Sequence, residues 1–181
     1  MSEPTHVERT RGPVVIVDYD PAWPRQYDEQ ERRIRAALGD TALLVEHVGS
    51  TSVPGLPAKP VLDINLVVPD TTREADYRPA LGAAGFRFFL REPDWFEHRL
   101  FKGEAPSTNL HVFPQGCPEV NRMRLMRDWL RQSPEDLTLY ADAKRRLAQQ
   151  PWEFVQQYAD AKSEVVATIM SHAEAWAASR A

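Results

Sequence analysis

The fold turns on Val61-Leu62-Asp63-Ile64-Asn65-Leu66-Val67-Val68. Side chains alternate across a strand, so Leu62, Ile64, Leu66 and Val68 form a wholly apolar face while Val61, Asp63, Asn65 and Val67 share the other. An unpartnered carboxylate is costly in so apolar a run. The stretch therefore predicts a strand buried on at least one side, with Asp63 and Asn65 adjacent on the face left for chemistry.

Working outward, the preceding His47-Val48-Gly49-Ser50-Thr51-Ser52-Val53-Pro54-Gly55 has no periodicity and reads as a loop, entered from a strand around Leu43 to Val45. Asp20-Pro21 is a helix start, Trp23, Tyr27, Ile34 and Leu38 form one helical stripe, and Gly39 ends it. Val14 to Val17 reads as a first strand. A helix is expected from about Thr72 to Ala84 with a Gly85 stop, and Phe86 to Leu90, Phe96 to Lys102 and Asn109 to Phe113 are further strands. Beyond Cys117 three helical stretches, 118–131, 134–149 and 151–178, are separated by proline-marked breaks, the second opening on a capped Ser133-Pro134-Glu135-Asp136. Tyr-Ala-Asp-Ala-Lys occurs at 140–144 and again at 158–162, an echo too short to define a repeat. The sum is one α/β (α+β) domain over residues 13–178: a small mixed sheet flanked by helices in 13–116 and a helical part in 117–178, preceded by a flexible arm at 1–12.

Composition limits the function. Lys+Arg of 22 against Asp+Glu of 26 gives a net charge of −4, which argues against coating nucleic acid by bulk charge, so an anion site must be local. A single cysteine supplies neither an internal disulfide nor a Cys-rich zinc site. With no membrane-length apolar run and a polar start, a soluble, cytoplasmic protein is expected.

Several residues could carry chemistry. The Gly49-Ser50-Thr51-Ser52 bend could offer backbone amides to a phosphate, and Asp63 with Asn65 could hold a hard cation such as Mg²⁺ that bridges to it. Asn109, His111 and Phe113 share one side of their strand, and His111 could serve as a general base, a phosphate contact or a structural donor. Lys59, four residues before Asp63, is the first choice for an anion contact. Arg99 and Lys102 frame another strand, and Arg127, Arg131 and Lys144 lie in a segment, 120–146, with seven Lys/Arg against four Asp/Glu. His47 and His98 read as structural, and Tyr140 and Tyr158 as core residues with polar tips.

The segment HVGSTSVPGLPAKPVLDINLVV, 47–68, resembles the signature of the GrpB family, with further likeness in Asn109-Leu110-His111-Val112, in Met126-Arg127-Asp128-Trp129-Leu130-Arg131 and at 140–144. The resemblance spans roughly Val14 to Ile169. It implies the nucleotidyltransferase superfamily, in which a Gly-Ser turn and acidic residues on the next strand hold Mg²⁺ and a nucleoside triphosphate. Active members there carry two carboxylates one residue apart and a third on a later strand. This chain has Asp63 and Asn65 at the pair, and His111 stands on the later strand. Two readings follow. One is a Mg²⁺-dependent nucleotidyltransferase-like enzyme in which Gly49, Ser50, Thr51 and Ser52 face the triphosphate, Asp63 and Asn65 hold the metal, Lys59, Arg99, Lys102, Arg127 and Lys144 balance charge, and His111 assists an unknown acceptor. The other is a noncatalytic module that binds a nucleotide or another phosphorylated small molecule at a degraded metal site. RNA remains open as an acceptor, and the oligomeric state is not legible.

Overall fold

The computed structural model describes residues 13–181; the arm expected at 1–12 lies outside the described residues. Five strands, β1 (Leu44–Val48), β2 (Leu62–Val68), β3 (Arg87–Glu92), β4 (His98–Glu104) and β5 (Ser107–Pro114), form one sheet in the order β1-β2-β5-β4-β3. Only β2 and β5 run parallel, so the sheet is mixed as expected.

The apolar face of β2 decides what packs where. Leu62, Ile64, Leu66 and Val68 join Leu110, Val112 and Phe101 against α1 (Trp23–Leu38) and α2 (Arg78–Ala83), with Trp23, Ile34 and Leu81 from the helices. All of these are under one-tenth exposed. Burial of each such side chain contributes about 1.5–3 kcal/mol, so this layer is the main stabilising core. The opposite face keeps Asp63 and Asn65. Its far end is closed by α3 (Pro118–Gln132), where Val120 and Met123 pack on Val67, Phe113 and Leu44. Then α4 (Pro134–Ala148), α5 (Val155–Ala161) and α6 (Ser163–Ala178) follow, and helices α3, α4 and α6 share a second core with Val53 and Leu56 of the loop after β1. No helix among the described residues is long and apolar enough to cross a membrane.

Three expected elements differ. Val14 to Val17 makes only an isolated bridge, Val17 to Ala58, because Pro57 and Pro60 flank Ala58 and remove the donors a longer ladder needs. The helix expected from Thr72 starts only at Arg78, after a single turn at Glu74–Asp76, since Pro79 fits just the first turn of a helix. The last helix is two: residues 151–154 are not helical, and a single turn residue, Lys162, separates α5 from α6.

Candidate functional site

Register alone assembles the polar face. Asp63 lies opposite Val48 on one side and Asn109 on the other, Asn65 lies between Glu46 and His111, and Lys102 lies opposite Asn109. Residues paired across a sheet share a face, so two carboxylates, two amides, an imidazole and a lysine meet there; the Glu46 carboxylate is taken up by Arg124 and Arg127, which leaves Asp63 as the acid nearest the turn.

Gly49 immediately follows β1 and carries Ser50–Ser52 as a single helical turn. Its φ is +70°, and a Cβ there would sit 2.7 Å from Asp63 Oδ2. Glycine is thus needed twice, for the left-handed backbone and for the approach of the turn to the carboxylate. The turn is pinned from below by His47, whose Nε2 lies 2.8 Å from Thr51 Oγ1 and whose ring stacks on Tyr27. Burial pushes the His47 imidazole down to about 4, so it stays neutral. From above, Arg127 donates to His47 O at 3.1 Å and Arg131 to Ser52 O at 2.7 Å. Ser52 therefore supports the turn, its hydroxyl bonding back to Gly49 O.

Asp63 Oδ1 accepts from Asn109 Nδ2 at 3.1 Å and meets His111 Nε2 at 3.2 Å, while its Oδ2 has no hydrogen bond among the described residues. Burial raises the Asp63 pKa, but the bonds from His111 and Asn109 and the charge of Lys59 outweigh it and hold the carboxyl below its ordinary value. His111 Nδ1 in turn lies 3.1 Å from His98 Nε2, and His98 Nδ1 lies 2.7 Å from Glu92. This Asp63–His111–His98–Glu92 chain occupies both ring nitrogens of His111. It also brings in His98, which the sequence left as structural. Burial, then His111 and Arg99, push His98 down to about 3.

Beside Asp63 opens a small chamber of about 220 Å³, lined by Ser50, Thr51, Lys59, Asn109, Lys144, Tyr158 and Lys162 among others. Lys144 is 2% exposed and donates to Ser50 Oγ and, at 3.1 Å, to Pro57 O. Its ammonium lies 4.6 Å from the Tyr140 ring centre, and Lys162 lies 4.7 Å from that of Tyr158. The pentapeptide echo is thus chemical: each Tyr-Ala-Asp-Ala-Lys brings its lysine to the same chamber, over its own tyrosine one turn earlier. None of Lys59, Lys144 and Lys162 forms a salt bridge among the described residues. Burial, then the neighbouring lysines, depress the Lys144 pKa well below the ordinary range and bring Lys162 down to about 8. Burial likewise pushes the Tyr140 phenol up to about 12. Three buried polar side chains have atoms with no hydrogen-bond partner among the described residues: the Tyr158 hydroxyl and both amide atoms of Asn65 on this side, and Thr71 Oγ1 elsewhere.

The structure therefore gathers Gly49, Ser50, Thr51, Lys59, Asp63, Asn65, Lys102, His111 and Lys144 on one side of the sheet. Lys102 reaches Asn109 Oδ1 at 2.5 Å, and burial lowers its pKa. Arg127 lines a second, adjoining cavity above the turn and pairs with Asp128. Arg99 is not brought there. It lies opposite Val112 on the other face and is 2.9 Å from Glu74, with Arg78 and Arg91 on the same carboxylate. Alternation from Lys102, three positions along the strand, was the signal that separates the two. Sequence alone did not single out Tyr158, Asn109 and Lys162 as lining this chamber.

Magnesium, which the resemblance implies, meets a reduced donor set. Two-metal chemistry needs concentrated carboxylates. No group of three or more His, Cys, Asp or Glu among the described residues is placed to hold a metal ion, and the second position is the neutral Asn65. The residues do not fit a two-ion cage. They fit at most one ion on the free Oδ2 of Asp63, carried mainly by ligand phosphates.

Comparison with known proteins bears on the family and the fold. UPF0157 protein BH1888 of Halalkalibacterium halodurans is 54% identical over 162 residues, covering 90% of this chain and 83% of its own. The crystal structure of conserved protein GrpB from Enterococcus faecalis superposes with a TM-score of 0.79 at 27% identity, covering 90% of this chain and 99% of that one. Cid1 poly(U) polymerase, solved with MgGTP, shares the fold alone, with a TM-score of 0.51 at 13% identity over 72% of this chain and 44% of that one. The GrpB protein family matches residues 13–172, over a nucleotidyltransferase-like sheet, and the chain belongs to that family.

Proposed function

We propose that the protein binds a phosphorylated small molecule, with the phosphates on the Gly49-Ser50 turn and the Lys59, Lys144 and Lys162 ammonium groups. The observation that carries this reading is the charge imbalance: three lysines converge on one chamber with Asp63 as the nearby carboxylate. Packing like charges together is unfavourable until a multivalent anion joins them. The unpartnered Tyr158 hydroxyl in the same wall supplies one further donor.

Thermal unfolding with inorganic pyrophosphate and with nucleoside triphosphates, each with and without a chelator, tests this. A ligand at one hundred times its Kd adds about 2.7 kcal/mol of stability. Stabilisation that survives chelation and is lost in the Lys59→Ala/Lys162→Ala double variant is the expected result. No stabilisation by any phosphate overturns the reading.

The free Asp63 Oδ2 favours a second reading, nucleotidyl transfer. In it an acceptor oxygen or nitrogen attacks the phosphorus bound to pyrophosphate, the new bond forming as the old one breaks and the acceptor's proton leaving to solvent. A magnesium ion arriving with the triphosphate would neutralise phosphate charge. His111 would hold Asp63 in place, and the turn and lysines would position the chain in line. Pyrophosphate release dependent on an added acceptor and absent in Asp63→Asn separates this reading from binding alone.

A further inference from the structure

The second cavity, about 480 Å³, adjoins the lysine chamber and shares Ser50, Asp63 and Lys162 with it. Its walls are of another kind. Val48 from β1, Met123, Met126 and Leu130 from α3 and Ala159 from α5 form an apolar lining. No side-chain amide lines it. Of the charged residues at the cavity, Arg122 pairs with Glu119, and Arg127 with Asp128 and His47 O. Asp63 and Lys162 stand where the cavity meets the lysine chamber and would face the phosphate, and His111 is already bonded to Asp63 and His98; the wall beyond them is largely apolar, and methionines readily fit themselves to an irregular apolar body.

We infer that the organic part of the ligand is apolar and lodges in this methionine-walled cavity while its phosphate sits at the lysines, so that the protein recognises phosphate esters of apolar groups. The inference rests on the phosphate reading above. Continuity through Asp63 and Lys162 supports it, since a molecule whose phosphate lies between them reaches the apolar walls without leaving protein. Size agrees, because small-molecule sites span roughly 300–1,000 Å³.

Calorimetric titration with inorganic phosphate, then butyl, hexyl and octyl phosphate, then adenosine monophosphate, tests the inference. Each methylene buried is expected to tighten binding about three- to fourfold, and adenosine monophosphate is expected to bind more weakly than octyl phosphate. Ala159→Phe, which fills the cavity, should flatten the series. In the unaltered protein, octyl phosphate should shift the methyl resonances of Met123 and Met126, and inorganic phosphate should not. If inorganic phosphate binds but chain length has no effect, or if adenosine monophosphate binds tightest, the apolar cavity is not the ligand's seat and this inference fails alone. If no member of the series binds, inorganic phosphate included, the phosphate reading fails and takes the inference with it.

Discussion

Anion binding should draw protons onto the lysine chamber, and the amount follows from the structure. Lys162, between α5 and α6, has its pKa brought down to about 8 by burial and by Lys59. A divalent anion beside it removes the cause of the shift and returns the amine toward the ordinary lysine value of about 10.4, a change worth at most about 3 kcal/mol of binding at high pH. At pH 8 half of Lys162 is neutral before binding, so about half a proton is taken up there, and Lys144, shifted further in the same direction, adds to it. If only the ammonium form binds, affinity is nearly flat below pH 7 and about thirtyfold weaker by pH 9.5. The unliganded fold obeys the opposite sign. The unfolded chain holds more protons between about pH 8 and 10, so the depressed lysines make the empty protein more stable as pH rises through that window. Calorimetry with sulfate, which does not titrate in this range, in buffers of different ionisation enthalpy measures the uptake directly. Equal affinity at pH 7 and 9.5, with no buffer dependence, would refute the assignment of these lysines as the anion's partners.

Other outcomes follow from single contacts. Gly49→Ala should cost about 1–3 kcal/mol in urea unfolding and abolish phosphate stabilisation, because the added Cβ meets Asp63 Oδ2 at 2.7 Å on a left-handed backbone. Asn65→Leu removes two orphaned buried amide atoms and should raise stability by about 1–3 kcal/mol while weakening phosphate-ester binding; a loss of stability would mean the amide is satisfied within the fold. Arg99→Ala should destabilise by about 2 kcal/mol without changing phosphate affinity, since Arg99 serves Glu74 on the opposite face. The Glu74 carboxyl is held at about 2 mainly by Arg91, against its burial, so the stability it supplies is present above about pH 4.5 and lost as pH falls toward 2; acid titration of the same variant should show a smaller loss.

How far the sequence carried depends on which interactions are local. Alternation placed Asp63 and Asn65 on one face of β2, and the Gly49-Ser50 bend meets that face. Strand pairing is not local. That β5 runs parallel beside β2, setting His111 level with Asn65, depends on the sheet order, which no short pattern specifies. Arg99 illustrates the cost, for its type and neighbourhood suggested phosphate, and only the identity of the facing layer shows it bound to Glu74. Lys162 illustrates the converse. The Tyr-Ala-Asp-Ala-Lys echo marked it, but the residue acquires meaning from a break between α5 and α6 that helical periodicity alone does not reveal.

If the proposed phosphate site is correct, the arrangement of charge accounts for how it works with so few acids. A cage of three carboxylates repels a polyphosphate, and two magnesium ions must come between them before the ligand can bind. Here the cage is reduced to Asp63, one of whose oxygens is already bonded to Asn109 and His111. On the phosphate reading, Lys59, Lys144 and Lys162, which line one chamber, would supply the positive charge that metals supply in such a cage. Fixed ammonium groups can bind phosphate without metal, but they cannot be withdrawn when the product must leave. The depressed pKa values of Lys144 and Lys162 soften that cost, since a lysine near 8, as Lys162 is, can give up its proton as the anion departs. On the phosphate reading, the neutral Asn65 and the lysine chamber act together, and introducing a carboxylate by Asn65→Asp should raise affinity for Mn²⁺ while weakening metal-free pyrophosphate binding, both readable by calorimetry on the same sample.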